Sequence, residues 1–505
     1  MGKLDNLFEK IEKIRRDIPV TEVAKDFLDL KMFGTSAKAL CPFHLDHTIG
    51  SFVITDKKGI FKCFACGVGG DVIKFYGLSK NLDYIDAAIE LGYNKNIISY
   101  SEKEEFEKYR IKGDKKRYIE KVYLEKTFKE AEEEKADIEI LNKVYNIFSN
   151  INVKKGKKLS EKHLNHLLNE RHLTKDEIEE DGYFTMPTRH VLKDFIKELE
   201  DENIFLEDLK KVPGFFYDSK KKSYSFMTVK GGGIGIPIKD EEGRIQAIQI
   251  RKDNPDMNNG KPSNKYIFFS SSFTTNYEHL VGGVGTGSPI DVSYPLGMRD
   301  NNKPCRTIFI TEGKFKSKAI VNNFNSIALS VQGVTSWRKT IPFVENIRKK
   351  FENIYRLDKV IIAYDADLGY NLAVFEQAIK AGLYYEGFSE KDIFTLVDLL
   401  GKNEHILNKD KELNNKLEDF NKRKSNVFMA LWDCEYGKGI DDLIESGHKD
   451  KIQKIGFNKI FKLYTKYKTL ILDLIKDEEF KDITAIPKEV MKEMFEEVIF
   501  NQIFK

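Results

Sequence analysis

The sequence predicts a multidomain α+β protein, and three observations lead to this prediction. The chain has 505 residues, and at about 150 residues per domain it has room for roughly three folded units. Three of the five cysteines lie between residues 41 and 66, which marks a small N-terminal domain. From about residue 305, short apolar β-branched runs alternate with helical segments, which is typical of a doubly wound parallel sheet.

The composition excludes several classes of protein. Lys and Arg number 83 and Asp and Glu number 80, so the formal net charge is only +3. A chain this balanced is neither a histone-like basic binder nor an acidic tail protein, and any surface for nucleic acid must be local. The hydrophobic fraction of 41% argues against global disorder. Five cysteines are too few for a disulfide framework in a chain of this length.

The sequence also carries an expectation about localisation. No apolar run approaches the ~18 residues that a membrane span needs, and the N-terminus lacks the apolar stretch of a signal peptide. We therefore expect a cytoplasmic protein without membrane association.

Shifts in composition predict the domain boundaries. Residues 103–135 are dense in charges of both signs, which indicates a solvent-exposed helical linker. An alternating apolar run over 234–250 indicates strands in the region that follows. We predict a zinc-ribbon domain with the cysteines at 1–100, a charged helical linker at 101–155, a mixed α/β subdomain at 156–304, a doubly wound α/β core at 305–445 and a helical C-terminal segment at 446–505.

The cysteine cluster has the spacing of a metal site. Cys41 and His44 are separated by two residues, as are Cys63 and Cys66. Two such pairs supply the four ligands that a tetrahedral zinc ion needs, and each pair can form a tight knuckle. We predict one structural zinc ion on these four residues, because four protein ligands leave no open position. His47 is a competing ligand with a poorer spacing, and buried cysteines without metal are the other interpretation.

The segment between the two ligand pairs predicts a β-hairpin. Residues 51–55 and 60–62 are apolar, β-prone runs on either side of a turn at 56–59. A hairpin at this point would bring the two pairs together. Asp71 follows a glycine-rich turn and is a candidate N-cap for a helix at 72–77.

Carboxylates follow the predicted strands of the α/β core. Glu312 comes directly after an apolar strand at 307–311, and Asp365 and Asp367 come after the third strand. Ligands of open parallel sheets bind outside the carboxyl ends of the strands, so these side chains should converge. Oxygen donors of this kind suit Mg²⁺, and Asp441 after a later strand offers a further carboxylate. The alternative is that all of them are solvated loop carboxylates.

A basic stretch lies upstream of these strands. Arg244, Arg251 and Lys265 could bind phosphates through guanidinium forks and an ammonium charge. The alternative is an ordinary solvated loop. The glycine-rich run at 281–287 lacks the Gly-Lys-Ser/Thr of a P-loop, which argues against an ATP-driven helicase in this chain.

These motifs resemble a known family in their order along the chain. The run from Cys41 to Asp71 closely resembles the zinc-binding domain of bacterial DnaG-type primases. Residues 305–445 look like a TOPRIM domain, the metal-binding fold that such primases share with type IA topoisomerases. Residues 235–266 resemble the N-terminal part of the primase polymerase domain, and residues 168–178 resemble the segment that precedes it.

Three departures from the family pattern point to a divergent primase of a phage or mobile element. The family carries an Asp four residues after the first Glu, where this chain has Lys316. Its Asp-Gly-Asp motif is Asp365-Ala-Asp367 here, and its Asp-Pro-Asp motif is replaced by Gly-Ile-Asp441-Asp442.

The resemblance implies a DNA primase that synthesises short RNA primers on single-stranded DNA for replication, by metal-dependent nucleotidyl transfer. It assigns Glu312, Asp365 and Asp367 as catalytic residues, which together with Asp441 would hold Mg²⁺ or Mn²⁺. Its partners would be a single-stranded DNA template, NTPs and, as a candidate, a separate replicative helicase. Two alternatives stay open: a TOPRIM-type nuclease or topoisomerase-like enzyme, and a non-catalytic replication-initiation protein that binds DNA.

Overall fold

The structure is a computed structural model. It describes residues 3–33, 36–43, 49–63, 68–80, 82–108, 119, 122–123, 135–258, 261–263, 265–296, 298, 305–398, 411–476 and 486–504. Within this part of the chain the helices are α1 (Lys3–Asp17), α2 (Val20–Ala24), α3 (Val72–Lys80), α4 (Tyr84–Asn94), α5 (Tyr100–Lys108), α6 (Ile138–Asn150), α7 (Glu161–Asn165), α8 (Lys175–Asp181), α9 (Leu192–Asp201), α10 (Lys314–Phe324), α11 (Thr340–Lys350), α12 (Leu372–Tyr385), α13 (Glu390–Ile393), α14 (Lys411–Lys422), α15 (Ile440–Glu445), α16 (Phe457–Lys476), α17 (Lys488–Phe495) and α18 (Asn501–Phe504).

The strands of the described residues form five sheets. They are β1 (Lys31–Phe33), β2 (Ser36–Ala39), β3 (Phe52–Thr55), β4 (Ile60–Cys63), β5 (Gly69–Gly70), β6 (Phe184–Thr185), β7 (Phe215–Asp218), β8 (Ser223–Phe226), β9 (Gly233–Lys239), β10 (Ile245–Lys252), β11 (Asp256–Asn258), β12 (Lys261–Ser263), β13 (Tyr266–Phe268), β14 (Leu280–Val281), β15 (Asp291–Ser293), β16 (Thr307–Thr311), β17 (Ile327–Ser330), β18 (Lys359–Ile362), β19 (Val427–Leu431) and β20 (Gln453–Gly456).

The chain divides into two compact units. The first contains residues 1–136, 205–227 and 270–287, and the second contains residues 137–204, 228–269 and 288–505. No helix among the described residues is long and apolar enough to cross a membrane.

The first unit contains a five-stranded antiparallel sheet in the order β1-β2-β3-β4-β5. The predicted hairpin is confirmed, because β3 pairs antiparallel with β4 around a 3₁₀ turn at Asp56–Lys58. Gly59 ends this turn at φ +62°, a left-handed conformation that glycine adopts without steric cost. The rings of Phe52, Phe61 and Phe75 join the hairpin to α3 in one apolar core. A second, three-stranded sheet of this unit has the order β14-β7-β8.

The second unit contains a four-stranded antiparallel sheet in the order β13-β10-β9-β6. Helix α6 packs against β10, and its buried face carries Leu141, Val144, Tyr145 and Phe148. The sequence places these residues in the charged linker at 101–155. In the structure, residues 138–150 belong to the folded unit.

The larger sheet of the second unit has six strands in the order β15-β17-β16-β18-β19-β20. The four central strands are parallel, and the two edge strands are antiparallel to their neighbours. Alternate residues of β16 face two different cores: Ile308 and Ile310 lie in one, and Phe309 lies in the other. Helices α11 and α12 cover the first face and α10 and α15 the second, so the sheet is buried on both sides as a doubly wound sheet requires.

The C-terminal helices pack onto the first face of this sheet. Phe375 of α12 contacts the rings of Tyr464 and Tyr467 on α16 and of Phe495 on α17. The hydroxyl of Tyr467 donates to the carbonyl of Gly369 at 2.8 Å. These buried contacts make α16 and α17 part of the α/β core's packing.

Candidate functional site

The two described cysteines of the predicted zinc site lie at one end of the N-terminal sheet. Ala39, Phe52 and Cys63 are cross-strand neighbours on β2, β3 and β4. Cys41 follows the end of β2, so the register brings it to the same end of the sheet as Cys63. Both side chains are buried. His44, Cys66 and the competing His47 lie outside the described residues.

The first knuckle is held against the hairpin by an aromatic ring. Phe43 lies between Cys41 and His44 in the sequence, and its ring centroid is 5.9 Å from that of Phe61 and 5.8 Å from that of Phe75. Phe61 precedes Cys63 by two residues on β4. The apolar core therefore packs beside both Cys41 and Cys63, the two described residues of the predicted zinc site.

The helix after the second knuckle is anchored by Asp71. Its Oδ1 accepts from the backbone N–H of Lys74 at 3.0 Å, so the predicted N-cap of α3 is confirmed. Its Oδ2 accepts from Arg15 Nε at 3.1 Å and from the hydroxyl of Tyr84 at 2.7 Å. Asp71 thus joins α1, α3 and α4 through one buried carboxylate.

In the second unit, the ends of two parallel strands bring Glu312 and Asp365 together. Strands β16 and β18 pair in register, with Ile310 opposite Ile362. The hydroxyl of Thr311 donates to the carbonyl of Ala363 at 2.8 Å, which ties the two strand ends. Because each carboxylate follows its strand closely, both lie at the same edge of the sheet, as the sequence predicts.

Lys316 lies between these two carboxylates. Its ammonium group donates to Glu312 Oε2 at 2.8 Å and to Asp365 Oδ1. Burial raises the pKa of Glu312, although the Lys316 charge opposes this shift. Burial alone would lower the pKa of Lys316, but the two carboxylates outweigh it, so its pKa is raised. The ammonium is therefore charged and tightly held.

Asp367 lies next to a second lysine. Lys438 Nζ is 2.8 Å from Asp367 Oδ2 and 3.9 Å from Asp365 Oδ2. The backbone N–H of Ala366 donates to the carbonyl of Lys438 at 2.9 Å, which fixes the loop after β19 to the turn after β18. The hydrogen bond from Lys438 to Asp367 is the main cause of the raised pKa of Lys438.

Asp441 lies in the first turn of α15 and lines the same cavity as Lys316. Burial, and then the neighbouring Asp442, raise the pKa of Asp441. Its Oδ2 is 3.5 Å from Arg171 Nη1, and its buried Oδ1 has no hydrogen-bond partner among the described residues. Asp442 instead accepts from the backbone N–H of Gly439 at the start of the helix.

Only two of the four predicted carboxylates are placed to share a divalent ion. Among the described residues, no three Asp, Glu, His or Cys side chains converge on one metal position. The predicted set of Glu312, Asp365, Asp367 and Asp441 is thus gathered at one edge, but two ammonium groups lie among its members. Asp365 and Asp367 share a cation position, which Lys438 marks, and carboxylate oxygens at such a position fit Mg²⁺ or Mn²⁺.

A cavity of about 550 Å³ opens beside this edge, and Glu312, Asp365 and Asp441 line it. Arg171 and Lys265 line the same cavity. Arg251 pairs across the strands with Tyr266, the residue after Lys265. Burial lowers the pKa of Lys265, and the charges of Arg251 and Arg171 lower it further. The strand register therefore brings the predicted phosphate-binding residues Arg251 and Lys265 near each other, and Lys265 lines the cavity with the carboxylates.

Arg171 is a site residue that motif spacing does not reveal. It lies more than ninety residues from Lys265 in the sequence, and its guanidinium lies 4.8 Å from the ring centroid of Phe315. The family resemblance over 168–178 is the one signal in the sequence that includes it.

Arg244 has a different environment from the other two predicted cations. It donates to Asp240 Oδ2 at 2.8 Å and to Glu139 Oε1 at 2.8 Å, which joins the β9–β10 turn to α6. It is not among the residues that line the cavity beside the carboxylates. The structure thus gives Arg244 two carboxylate partners and does not bring it to Lys265.

Comparison with known proteins identifies relatives of the N-terminal region. Residues 7–108 match the zinc-ribbon family described as the CHC2 zinc finger. The DNA primase of Aquifex aeolicus is 41% identical over 109 residues, which are 22% of this chain and 20% of that protein. The DNA primase of Thermotoga maritima is 28% identical over 242 residues, which are 48% of this chain and 36% of that protein. The chain therefore matches well under two thirds of either relative's length.

A solved structure of the Aquifex aeolicus primase, containing its zinc-binding and RNA polymerase domains, also superposes on the chain. The superposition covers 97% of both chains at 18% identity, with a TM-score of 0.36. A score at this level does not by itself establish a common fold. The sequence match is the stronger finding: residues 7–108 match the CHC2 zinc-finger family, and part of the chain is similar to bacterial DNA primases.

Proposed function

We propose that this protein is a DNA primase that synthesises short RNA primers on single-stranded DNA for replication. The observation that carries the proposal is the relationship to DNA primases, which reaches 41% identity in the N-terminal region and extends over 242 residues in a second relative. The geometry of the second unit supports it, because carboxylates at the ends of two parallel strands line one cavity together with Arg171 and Lys265. Nucleotidyl transfer needs residues that bind metal and residues that bind phosphate.

The N-terminal domain would hold one structural zinc ion. Membership of the zinc-finger family and the convergence of Cys41 and Cys63 support this assignment. The ligand set is Cys41, His44, Cys63 and Cys66. Four protein ligands leave no open coordination position, so the ion stabilises the fold and does not react.

The domain boundaries of the sequence prediction are part of this proposal. Residues 305–445 are a TOPRIM domain, and residues 156–304 are the N-terminal part of the polymerase region. The parallel order of β17, β16, β18 and β19 and the carboxylates at their ends support the TOPRIM assignment.

In the catalytic step, the chain supplies positioning and charge. A divalent ion on Asp365 and Asp367 would activate the attacking 3′-hydroxyl and stabilise the charge that develops as pyrophosphate leaves. Lys265 and Arg171 would bind the triphosphate, because they line the same cavity as Glu312 and Asp365. Glu312 would act through Lys316, whose ammonium it holds beside Asp365.

The substrates are a single-stranded DNA template and NTPs, and a separate replicative helicase is a candidate partner. Contacts with DNA phosphates would make template binding weaken steeply with salt. The formal net charge of +3 means that the binding surface is local, and the cluster of Arg171, Arg251 and Lys265 is a candidate for part of it.

The test is primer synthesis from labelled NTPs on single-stranded DNA with Mg²⁺ or Mn²⁺. We expect short RNA products from the wild type and none from the Asp365→Ala/Asp367→Ala variant. Glu161→Ala, which removes an exposed salt bridge with Lys157, is the matched control and should be fully active. Equal synthesis by the wild type and the double variant would contradict the metal assignment.

A second candidate function is non-catalytic DNA binding in replication initiation. The position of Lys316 between Glu312 and Asp365 favours it, because an ammonium group there competes with a metal ion. It predicts metal-independent binding of single-stranded DNA and no nucleotide incorporation with either metal. The same assay therefore separates the two candidates.

A further inference from the structure

Lys316 is enclosed by acidic groups at the strand ends. It lies in the first turn of α10, four residues after Glu312. Its ammonium contacts Glu312 and Asp365, and Lys316 lines the same cavity as Asp441. Only 18% of the side chain is exposed. Two carboxylates thus contact one partly buried cation.

The helix that carries Lys316 is anchored on both sides of it. Lys314 lies 3.0 Å from Asp291 and 3.5 Å from Asp181, and Lys318 lies 3.2 Å from the same Asp181. All four side chains are buried. Because buried ion pairs hold the residues two before and two after it, the backbone at Lys316 has little freedom to withdraw the ammonium.

Lys438 has the opposite properties. Its side chain is 61% exposed, and it pairs with Asp367, which is 42% exposed. Exposed ion pairs contribute little free energy, so water and a competing cation can separate this one. Lys438 can therefore give way to a divalent ion more readily than Lys316, whose side chain is 18% exposed and contacts two carboxylates.

We propose that the Lys316 ammonium is a fixed cation that takes the place of a metal ion, so that the strand-end site binds a single divalent ion on Asp365 and Asp367. The family that the chain resembles has an Asp at this position, whereas this chain has Lys316. The difference replaces a negatively charged metal ligand with a positive charge. A second divalent ion beside Glu312 would meet the positive charge of Lys316, which contacts both Glu312 and Asp365. Mg²⁺ is commonly held by one or two carboxylates with waters and substrate phosphates, so the remaining pair suffices.

This proposal deepens the proposed function, and it rests on that function only for the reaction that the ion serves. The number of bound ions is a property of the chain without substrate. It can therefore be measured independently of primer synthesis.

The experiment is a titration of the zinc-loaded full chain with Mn²⁺, in which free Mn²⁺ is followed by electron paramagnetic resonance. We expect one bound Mn²⁺ per wild-type chain and none in the Asp365→Ala/Asp367→Ala variant. We expect two in Lys316→Asp, which restores a carboxylate and removes the ammonium. Lys438→Ala is the matched control, and its single Mn²⁺ should bind at most about fivefold more tightly, as for loss of an exposed ion pair.

Two bound Mn²⁺ in the wild type would overturn the proposal, and so would a folded Lys316→Asp variant that still binds one. If Lys316→Asp is unfolded without metal, its thermal transition in the presence of Mn²⁺ decides, because an ion that binds only the folded state raises the midpoint. Recovery of folding with Mn²⁺ supports the proposal, and no recovery contradicts it. One bound Mn²⁺ in a wild-type chain that makes no primers would reject only the proposed function. Two bound Mn²⁺ in a wild-type chain that makes primers would reject only the role of Lys316.

Discussion

The predicted zinc site of the N-terminal domain and the strand-end site of the second unit differ in what holds their cation-binding residues in place. In the N-terminal domain, the hairpin and the ring of Phe43 bring Cys41 and Cys63 to one end of the sheet. At the strand ends, Glu312 and Asp365 already contact Lys316, and Asp367 already contacts Lys438. The comparison teaches that the first site would depend on its metal for folding, whereas the second has its charge balanced by the chain itself.

Removal of zinc should have the largest effect and should be confined to the first unit. Binding of structural zinc contributes about 10–16 kcal/mol in zinc-finger peptides, so chelation or Cys41→Ser/Cys63→Ser should unfold the N-terminal domain. Both tryptophans, Trp337 and Trp432, lie in the second unit, so their fluorescence reports that unit alone. We expect circular dichroism to show loss of structure while the tryptophan transition is unchanged. Cys434→Ser is the control, and a domain that stays folded without zinc would remove the contrast.

Loss of a buried ion pair beside Lys316 should be the next largest effect. Burial alone would raise the pKa of Asp181, but Lys314 and Lys318 outweigh it and its pKa is lowered. Asp181→Asn leaves Lys318 without this partner and should lower the free energy of unfolding by about 3–5 kcal/mol. Urea denaturation followed by tryptophan fluorescence measures this loss in the second unit. Glu161→Gln should change it by less than about 0.5 kcal/mol, and similar values for the two variants would mean that the ion pairs do not anchor α10.

Substitutions of Lys265 and Arg244, two predicted phosphate-binding residues, should have different effects. Lys265 lines the cavity, so Lys265→Ala should raise the KM for NTPs by about 10- to 150-fold, since a charge-assisted contact contributes about 1.5–3 kcal/mol. Arg244 is bound to Asp240 and Glu139, so Arg244→Ala should cost about 1 kcal/mol of stability and leave the KM unchanged. Steady-state kinetics and urea denaturation measure the two effects. A raised KM for Arg244→Ala would show that it binds the substrate.

The smallest effect should come from Lys438. Its pair with Asp367 is exposed, so Lys438→Met should change the free energy of unfolding by less than about 0.5 kcal/mol. The same urea series measures it. A loss of more than about 2 kcal/mol would show that this lysine, like Lys316, is a fixed part of the site, and the distinction between the two cations would fail.

Local features of the sequence predicted local structure well. The β3–β4 hairpin and the Asp71 cap depend on neighbours within a few residues, and both are present. The ends of β16 and β18 could also be predicted to meet, because strands that alternate with helices form parallel sheets with aligned carboxyl ends.

Side-chain partners that are distant in the sequence could not be predicted in this way. Lys316 is visible as a departure from the family pattern, but its contact with Asp365 depends on the packing of α10 against the sheet. Arg244 was predicted to bind phosphate from its place in a basic stretch. Its partner Glu139 lies 105 residues away, so their ion pair has no local sign in the sequence. Arg171 lines the cavity and lies over the ring of Phe315 in α10, a contact between distant segments that no local pattern encodes.

The central claim is that this chain makes primers, and the most direct measurement is a coupled assay on an unprimed single-stranded DNA circle. A DNA polymerase that cannot start chains is supplied with NTPs, dNTPs, Mg²⁺ and the zinc-loaded protein. We predict new DNA strands with an alkali-labile RNA segment at the 5′ end, and none with the Asp365→Ala/Asp367→Ala variant. Binding of the circle without any DNA synthesis, in Mg²⁺ and in Mn²⁺, would contradict the claim.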